Sequence, residues 1–350
     1  MSDLIFVLVL GCLLVLLLIW GFAHLPGERW QILAVVPVAK DGEGRWLGAN
    51  LTYYGLFIAT GQLVAVCLLL TLLGSARISL AGTVAATAIL LLVCIPAARI
   101  VAILVEHKRH TFTVGGAAFV GIILAPWVIA AVERVLQPLF PCHLPVLPVL
   151  AAMAAAYTLG EGLGRLGCIS FGCCYGKRIK DCSPMVRKVF SHCPFVFSGP
   201  TKKAVYESGL EGEPLVPIQA VTCIIYCLTA LIASLLFLHS HFTAALLASI
   251  GISQLWRILS ETLRADFRGF SRISAYQIMG GLAVAYILVI TLLFGTPDLG
   301  EPNIGHGLRQ LWDPGVILSL QVLWLIFFVV FGRSTITTAR LSLGLVRERL

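Results

Sequence analysis

The chain has 350 residues, of which 59% are hydrophobic and only 12% are charged. Soluble domains carry about 25% charged residues, so this composition excludes a water-soluble enzyme. At about 20 apolar residues per bilayer crossing, the chain has room for roughly nine or ten membrane spans. The net charge of +8 suits contact with anionic lipid headgroups or a role in setting topology. We do not expect nucleic acid as a partner.

Nine apolar stretches predict membrane-spanning helices, and most are too long for the ten-residue strands of an outer-membrane barrel. They are 4–22, 52–74, 80–104, 114–132, 146–160, 217–238, 242–256, 274–295 and 315–332. The first lacks a basic leader and a cleavage site, so we expect a retained helix rather than a signal peptide. The fifth and seventh are short, which is also compatible with broken or re-entrant segments. The pattern predicts an all-α, polytopic membrane helical bundle.

Basic residues are distributed very unevenly between the two predicted faces of the membrane. One face carries three, namely Arg77, Arg134 and Arg309, and the other carries 21 of the 25 lysines and arginines. The positive-inside rule would place the rich face in the cytoplasm. Arginines that bind lipid headgroups would give the same imbalance on either side, so the charge pattern leaves the orientation open.

Ionisable residues inside or beside membrane spans usually mark function. Arg99 lies within the third stretch, and Arg257 and Glu261 flank the end of the seventh at a spacing of four residues. On a helix these two would share a face and form an ion pair, and the arginine could alternatively grip a phosphate. Further charged residues at span ends are Glu133, Arg134, Arg264, Asp266 and Arg268.

The segment 160–177, GEGLGRLGCISFGCCYGK, is unusually rich in glycine for a membrane span. We expect the backbone to break here, so that free amide groups and Arg165 form a phosphate or headgroup site. The alternative is close helix packing through small residues.

Six segments of the chain resemble, in the same order, motifs of the phosphatidylglycerol–prolipoprotein diacylglyceryl transferases. They are Tyr53-Tyr54-Gly55-Leu56, Ala98-Arg99-Ile100, Val114-Gly115-Gly116, Gly164-Arg165-Leu166-Gly167 followed by Gly176, Pro217-Ile218-Gln219, and Arg257 through Glu261 to Arg264. Four positions depart from the family pattern, where an asparagine, a glutamate, a histidine or tyrosine and an acidic residue are replaced by Cys168, Cys173, Val114 and Thr222. The departures indicate a divergent branch of the family.

The resemblance implies a seven-helix transferase core with one additional helix at each end. We accordingly divide the chain into residues 1–48, an extra helix and its connection; 49–296, the core with a polar, cysteine-rich connection at 161–216; and 297–350, an extra helix and a basic tail.

The resemblance also implies an activity and its residues. The family transfers a diacylglyceryl group from phosphatidylglycerol to the lipobox cysteine of a prolipoprotein, with no metal or cofactor. The implied catalytic residues are Arg165, Arg257 and, as the group orienting Arg257, Glu261; the implied substrate-binding residues are Tyr54, Arg99, Gly115, Gly116, Gly164, Gly167, Gln219 and Arg264. Because Val114 replaces the family's histidine or tyrosine, His107 or His110 is a candidate substitute base.

Six cysteines near the connection are compatible with three uses: Cys142, Cys168, Cys173, Cys174, Cys182 and Cys193. They could form disulfides, most simply between Cys182 and Cys193. A thiolate at Cys173 or Cys174 beside Arg165 could be reactive. A zinc site built from Cys173, Cys174, Cys182, His192 and Cys193 would lack a standard ligand spacing, and we expect no metal.

The expected partners are therefore phosphatidylglycerol or another anionic phospholipid and prolipoprotein signal peptides. The family's topology would place a multi-pass protein in the bacterial cytoplasmic membrane with its site on the outer face. Two other functions stay open from the sequence: lipid transfer to a different acceptor, and non-catalytic phospholipid binding or transport on the same scaffold.

Overall fold

The computed structural model describes residues 3–106, 114–139, 141–266, 273–297 and 299–349. Within these ranges the helices are α1 (Asp3–His24), α2 (Tyr53–Ser75), α3 (Leu80–Val101), α4 (Val114–Leu136), α5 (Val146–Phe171), α6 (Pro184–Phe190), α7 (Lys203–Ser208), α8 (Ile218–Leu238), α9 (Phe242–Ser260), α10 (Ala275–Leu293), α11 (Ile304–Leu311) and α12 (Pro314–Gly332). The strands are β1 (Ile32–Lys40), β2 (Trp46–Thr52) and β3 (Arg333–Leu341).

Nine of the described helices are long and apolar enough to cross a membrane, and they coincide with the nine predicted stretches. The protein is an all-α, multi-pass membrane bundle, as predicted. The suggestion of broken or re-entrant fifth and seventh segments is wrong, because α5 is continuous over 26 residues and α9 over 19. Both helices extend beyond the apolar stretch into residues whose polar side chains are buried against neighbouring helices.

Helix α5 forms the centre of the bundle and packs against α2, α8 and α9. In its most apolar window 78% of the residues are buried, compared with 6% in α12 at the periphery. Glycines bring α5 close to its neighbours: a Cβ atom on Gly61 of α2 would lie only 3.0 Å from the carbonyl oxygen of Gly160. Close approach through small residues is a common basis of helix association in membranes.

A three-stranded antiparallel sheet, in the order β1-β2-β3, lies at the end of the bundle where α2 begins and α12 ends. The sheet was not predicted: residues 23–51 were expected to be a polar connection, and the residues after the last span a basic tail. Thr52 joins sheet and bundle, since its hydroxyl caps α2 and donates a 3.0 Å hydrogen bond to the carbonyl of Gly332. Pairing of β2 with β3 joins segments almost 290 residues apart, which local patterning does not reveal.

Lys202, in the connection between α5 and α8, has a completely buried side chain. Its Nζ atom donates hydrogen bonds to the carbonyl oxygens of Leu25, 2.9 Å away, and Ser170, 2.6 Å away. Leu25 directly follows α1, and Ser170 lies in the last turn of α5. The Lys202 amine therefore links the ends of both helices to the connection. Burial lowers the pKa of Lys202 to about 7, with Glu28 opposing the shift.

This burial predicts a specific pH dependence of stability. At pH values below about 7 the amine is charged in the folded and unfolded states, and the cost of burying the charge is fully present. Above pH 7 the folded state loses the proton while the unfolded lysine keeps it up to its ordinary pKa of 10.5. The free energy of unfolding should therefore rise with pH between 7 and 10, by up to about 1.4 kcal/mol per pH unit.

Lys202→Met should remove this rise, as measured by urea unfolding in detergent micelles from pH 7 to 10. Lys203→Met is the control, because partly exposed Lys203 pairs with Glu207 and its pKa is raised rather than lowered. Equal pH slopes for the wild type and Lys202→Met would contradict the assignment.

Candidate functional site

A buried ionic cluster lies between α5 and α9, near the end of the bundle that carries the sheet. Tyr157, Glu161 and Arg165 follow one another at successive turns of α5, so they share one helix face. Nη2 of Arg257 on α9 lies 2.8 Å from both carboxylate oxygens of Glu161 and donates to the hydroxyl of Tyr157 at 2.8 Å. Arg165 and Tyr157 also donate to the Glu161 carboxylate.

The cluster is shielded from solvent but not sealed. Side-chain exposure is 5% for Glu161, 15% for Arg165 and 12% for Arg257. Two guanidinium groups and one carboxylate leave a formal charge of +1. The Nε atoms of both arginines are buried and have no hydrogen-bond partner among the described residues. Buried donors of this kind are costly unless a ligand satisfies them, so the geometry suits an anion.

The expected ion pair between Arg257 and Glu261 is wrong. The α-helix ends at Ser260 and Glu261 begins a 3₁₀ turn, so the spacing of four residues no longer brings the two side chains together. The Glu261 carboxylate instead lies 3.9 Å from Nη1 of Arg264. Glu161 is the carboxylate that orients Arg257; the sequence pointed to its segment but gave this residue no role, and Tyr157 was missed. The repeat of polar residues at 157, 161 and 165 was the pattern that could have found them.

The expected backbone break at the glycine-rich segment is also wrong. Helix α5 runs without interruption through Gly160, Gly164 and Gly167 and ends only at Gly172, whose φ of +72° is left-handed. The glycines serve close packing: a Cβ atom on Gly167 would lie 2.9 Å from the carbonyl oxygen of Tyr54. Arg165 is therefore presented by a regular helix rather than by a phosphate-binding loop.

Of the other glycines assigned to the site, Gly115 lies against the ionic cluster and Gly164 packs against α2. A Cβ atom on Gly115, at the start of α4, would lie 2.7 Å from Nη1 of Arg257, and one on Gly164 would lie 3.3 Å from Ile58. Gly116 is buried at the next position. Gly115 therefore leaves the space that the Arg257 guanidinium occupies.

A second polar group surrounds the loop that follows α5. Arg264 makes a bidentate ion pair with Asp266, with both N···O distances 2.8 Å, and its backbone forms a β-bridge with Gly176. Nε2 of buried Gln219 donates to the carbonyl of Cys173 at 2.9 Å. The Tyr54 ring packs on Phe171 with centroids 5.7 Å apart. These contacts hold the loop beside the ionic cluster.

The cysteines divide into two groups. The sulfur atoms of Cys168, Cys173 and Cys174 lie within 4.8 Å of one another. Hydrogen bonds with the Cys168 and Cys173 thiols hold the pKa of Cys174 well below its usual value, although burial opposes the shift. Cys182 and Cys193 are free, and Cys193 is exposed. The disulfide that these two could have formed is therefore absent, and the close sulfur cluster includes neither of them.

Some predicted residues are not part of these clusters or lie outside the described residues. Arg99 lies on the exposed face of α3, where it lines an open groove with Ile95, Pro96, Ile100 and Ile103. The candidate base His107 or His110, and Arg268, lie outside the described residues.

The ionic cluster makes a clear prediction for Glu161→Gln. Loss of the carboxylate leaves two buried guanidinium groups without a counter-charge, and breaking a buried pair in this way costs about 3–5 kcal/mol. Glu213→Gln is the control, because Glu213 accepts a 3.0 Å hydrogen bond from exposed Lys180, and breaking a solvent-exposed pair should change the free energy of unfolding far less. Urea unfolding in mixed micelles measures both; similar changes would argue against a charge-balancing role of Glu161.

The comparison with known proteins agrees with the resemblance of the six motifs. No curated protein matches the chain significantly. The sequence model of the prolipoprotein diacylglyceryl transferase family matches residues 45–294, which include Glu161, Arg165, Arg257, the three clustered cysteines and Arg264. This match spans well over half of the chain, and the protein belongs to the prolipoprotein diacylglyceryl transferase family.

Proposed function

We propose that the protein is a membrane transferase that moves a diacylglyceryl group from phosphatidylglycerol to the thiol of an acceptor, the lipobox cysteine of a prolipoprotein. The observation that carries the proposal is the pair of guanidinium groups, Arg165 and Arg257, held by one buried carboxylate. Together they keep a net positive charge and two unpartnered Nε donors. A phosphodiester headgroup supplies both the negative charge and the acceptor oxygens for those donors.

The reaction is a displacement at carbon. The acceptor thiol gives up its proton to bulk water, its sulfur forms a bond to the terminal glyceryl carbon, and the carbon–oxygen bond to phosphate breaks. Glycerol phosphate leaves with that electron pair and gains a negative charge. Arg165 and Arg257 stabilise this developing charge in a site where water is scarce and electrostatic interactions are strong.

Glu161 is a positioning residue in this scheme. It contacts both guanidinium groups, fixes their separation and offsets one of their charges, so the site binds an anion without two uncompensated cations in the membrane. Tyr157 extends the arrangement, since it bonds to Glu161 and to Arg257.

We place the protein in the bacterial cytoplasmic membrane with the ionic cluster near the outer face. Family membership and an exported acceptor support this orientation. Lipid binding accounts for an excess of basic residues on the outer face, because Arg165, Arg257 and their neighbours provide an attractive surface for anionic headgroups.

Transfer activity tests the proposal directly. Purified protein in phosphatidylglycerol vesicles should convert a lipobox peptide to its diacylglyceryl thioether, detected by mass spectrometry. Arg165→Gln and Arg257→Gln should each lower the rate by about 100-fold or more, in the range seen when a donor to a developing anion is removed. Arg187→Gln, an exposed arginine of the same connection, should retain the wild-type rate.

The same vesicles separate the proposal from its alternatives. Product formed equally well by all three variants would exclude the arginine site. Binding of phosphatidylglycerol without thioether formation would overturn the transferase assignment in favour of lipid binding or another acceptor.

Orientation is tested at exposed Cys193, which lies in the connection following α5. A membrane-impermeant maleimide should label this residue in intact cells, and Cys193→Ser should lose that label. Labelling that appears only after the cytoplasmic membrane is permeabilised would place the site on the inner face.

A further inference from the structure

Three thiols converge beside the ionic cluster. Cys168 belongs to the last turn of α5, and Cys173 and Cys174 lie in the loop that follows. Their sulfur atoms are within 4.8 Å of one another. In a tetrahedral zinc thiolate with bonds of about 2.3 Å, the sulfur atoms lie about 3.8 Å apart. The thiols are thus close to the separation that a shared zinc ion requires.

The loop is built to bring the sulfurs together. Gly172 and Cys174 both have left-handed backbone conformations, with φ of +72° and +56°. For a cysteine this conformation is uncommon and unfavourable, so the surrounding contacts must hold it. They include the hydrogen bond from Gln219 to the Cys173 carbonyl and a 3.0 Å bond from the Cys173 amide to the Cys168 carbonyl.

Further along, the loop is fixed to the segment after α9. The amide of Lys177 donates a 2.9 Å hydrogen bond to the carbonyl of Leu263, and the amide of Ala265 donates a 3.1 Å hydrogen bond to the carbonyl of Tyr175. The two anchored cysteines therefore face Cys168 as part of a rigid arrangement, as a metal site needs.

The electrostatic surroundings suit a metal thiolate. Arg165 acts electrostatically on Cys168 and Cys174, and Arg264 acts on Cys174. Three thiolates with one divalent cation carry a net charge of −1, which adjacent guanidinium groups stabilise. Thiolate ligands favour zinc among the common divalent ions.

We infer that Cys168, Cys173 and Cys174 form a zinc site whose fourth position receives the thiol of the acceptor. The close sulfur cluster contains three ligand residues among those that the structure describes, so a tetrahedral ion has one position left for an external ligand. The site lies beside Arg165, where the phosphate is bound in the proposed function. The choice of the acceptor thiol as fourth ligand rests on that function, and the inference departs from the sequence-based expectation of no metal.

A zinc-bound thiol is deprotonated at neutral pH. The acceptor thiol would replace a water on zinc and release its proton to bulk water, which leaves a bound thiolate as the nucleophile. Its sulfur forms the bond to the glyceryl carbon while the carbon–oxygen bond to phosphate breaks. No oxidation or reduction occurs, and no general base at position 114 is required.

Metal content is the first test, and it does not depend on activity. Protein purified in detergent without chelators should contain about one zinc ion per chain by inductively coupled plasma mass spectrometry. After removal by a chelator, added zinc should rebind with the same stoichiometry. Cys173→Ser and Cys174→Ser should lower zinc content at least tenfold, whereas Cys182→Ser and Cys193→Ser should leave it unchanged. Wild type that binds no zinc, before or after reloading, would overturn the site even if the variants fold poorly.

Cobalt substitution tests the fourth ligand. The Co²⁺-loaded wild type should show thiolate-to-metal charge-transfer absorption, and adding N-acetylcysteine should intensify and shift that band. An unchanged spectrum would exclude a thiol as the fourth ligand. Zinc binding and a thiol response in a protein without lipid transfer would leave this site established and refute the proposed function. Lipid transfer by a protein that binds no zinc would refute the zinc site and leave the proposed function standing.

Discussion

The Glu161 carboxylate, buried between two arginines inside the helical bundle, is the interaction on which the site depends. A charged side chain is expensive within a membrane, and two guanidinium groups this close would repel each other. One carboxylate that contacts both makes their burial tolerable and leaves a single positive charge. The protein thereby keeps a net positive charge inside the bundle, which the proposed function assigns to a phospholipid headgroup.

The packing of α5 makes this arrangement possible. Glycines at 160, 164 and 167 let α2 and its neighbours approach closely without interrupting the helix. A continuous helix presents Tyr157, Glu161 and Arg165 on one face at fixed spacing, which a broken loop would not do. The left-handed turn at Gly172 then redirects the chain, so that Cys173 and Cys174 return toward Cys168 near Arg165. One helix end thus supplies groups for both the anion site and the thiol cluster.

The lengths of the apolar stretches were sufficient to predict the nine spans and the fold class, because a helix that crosses a bilayer needs a minimum length. Motif order was sufficient to identify the family and to select Arg165 and Arg257. The ion-pair partner of Arg257 was harder to predict. Arg257 pairs with Glu161 rather than Glu261, because α9 ends before Glu261 and α5 lies opposite. Within the sheet, the pairing of β3 could not be predicted, because its partner β2 comes from the opposite end of the chain. The thiol cluster depends on two left-handed residues, which sequence spacing alone does not specify.

A double-mutant cycle on Glu161 and Arg257, read out as phosphatidylglycerol affinity in nanodiscs, shows whether Glu161 organises the arginine site. If the carboxylate acts by holding the arginine in place, Glu161→Gln and Arg257→Gln should each weaken lipid binding, and the double variant should bind little worse than either. The expected coupling is about 1–3 kcal/mol, as found for residues in one ion-pair network. Effects that add to within about 0.5 kcal/mol would show that the two residues act independently, and would contradict an anion site organised by Glu161.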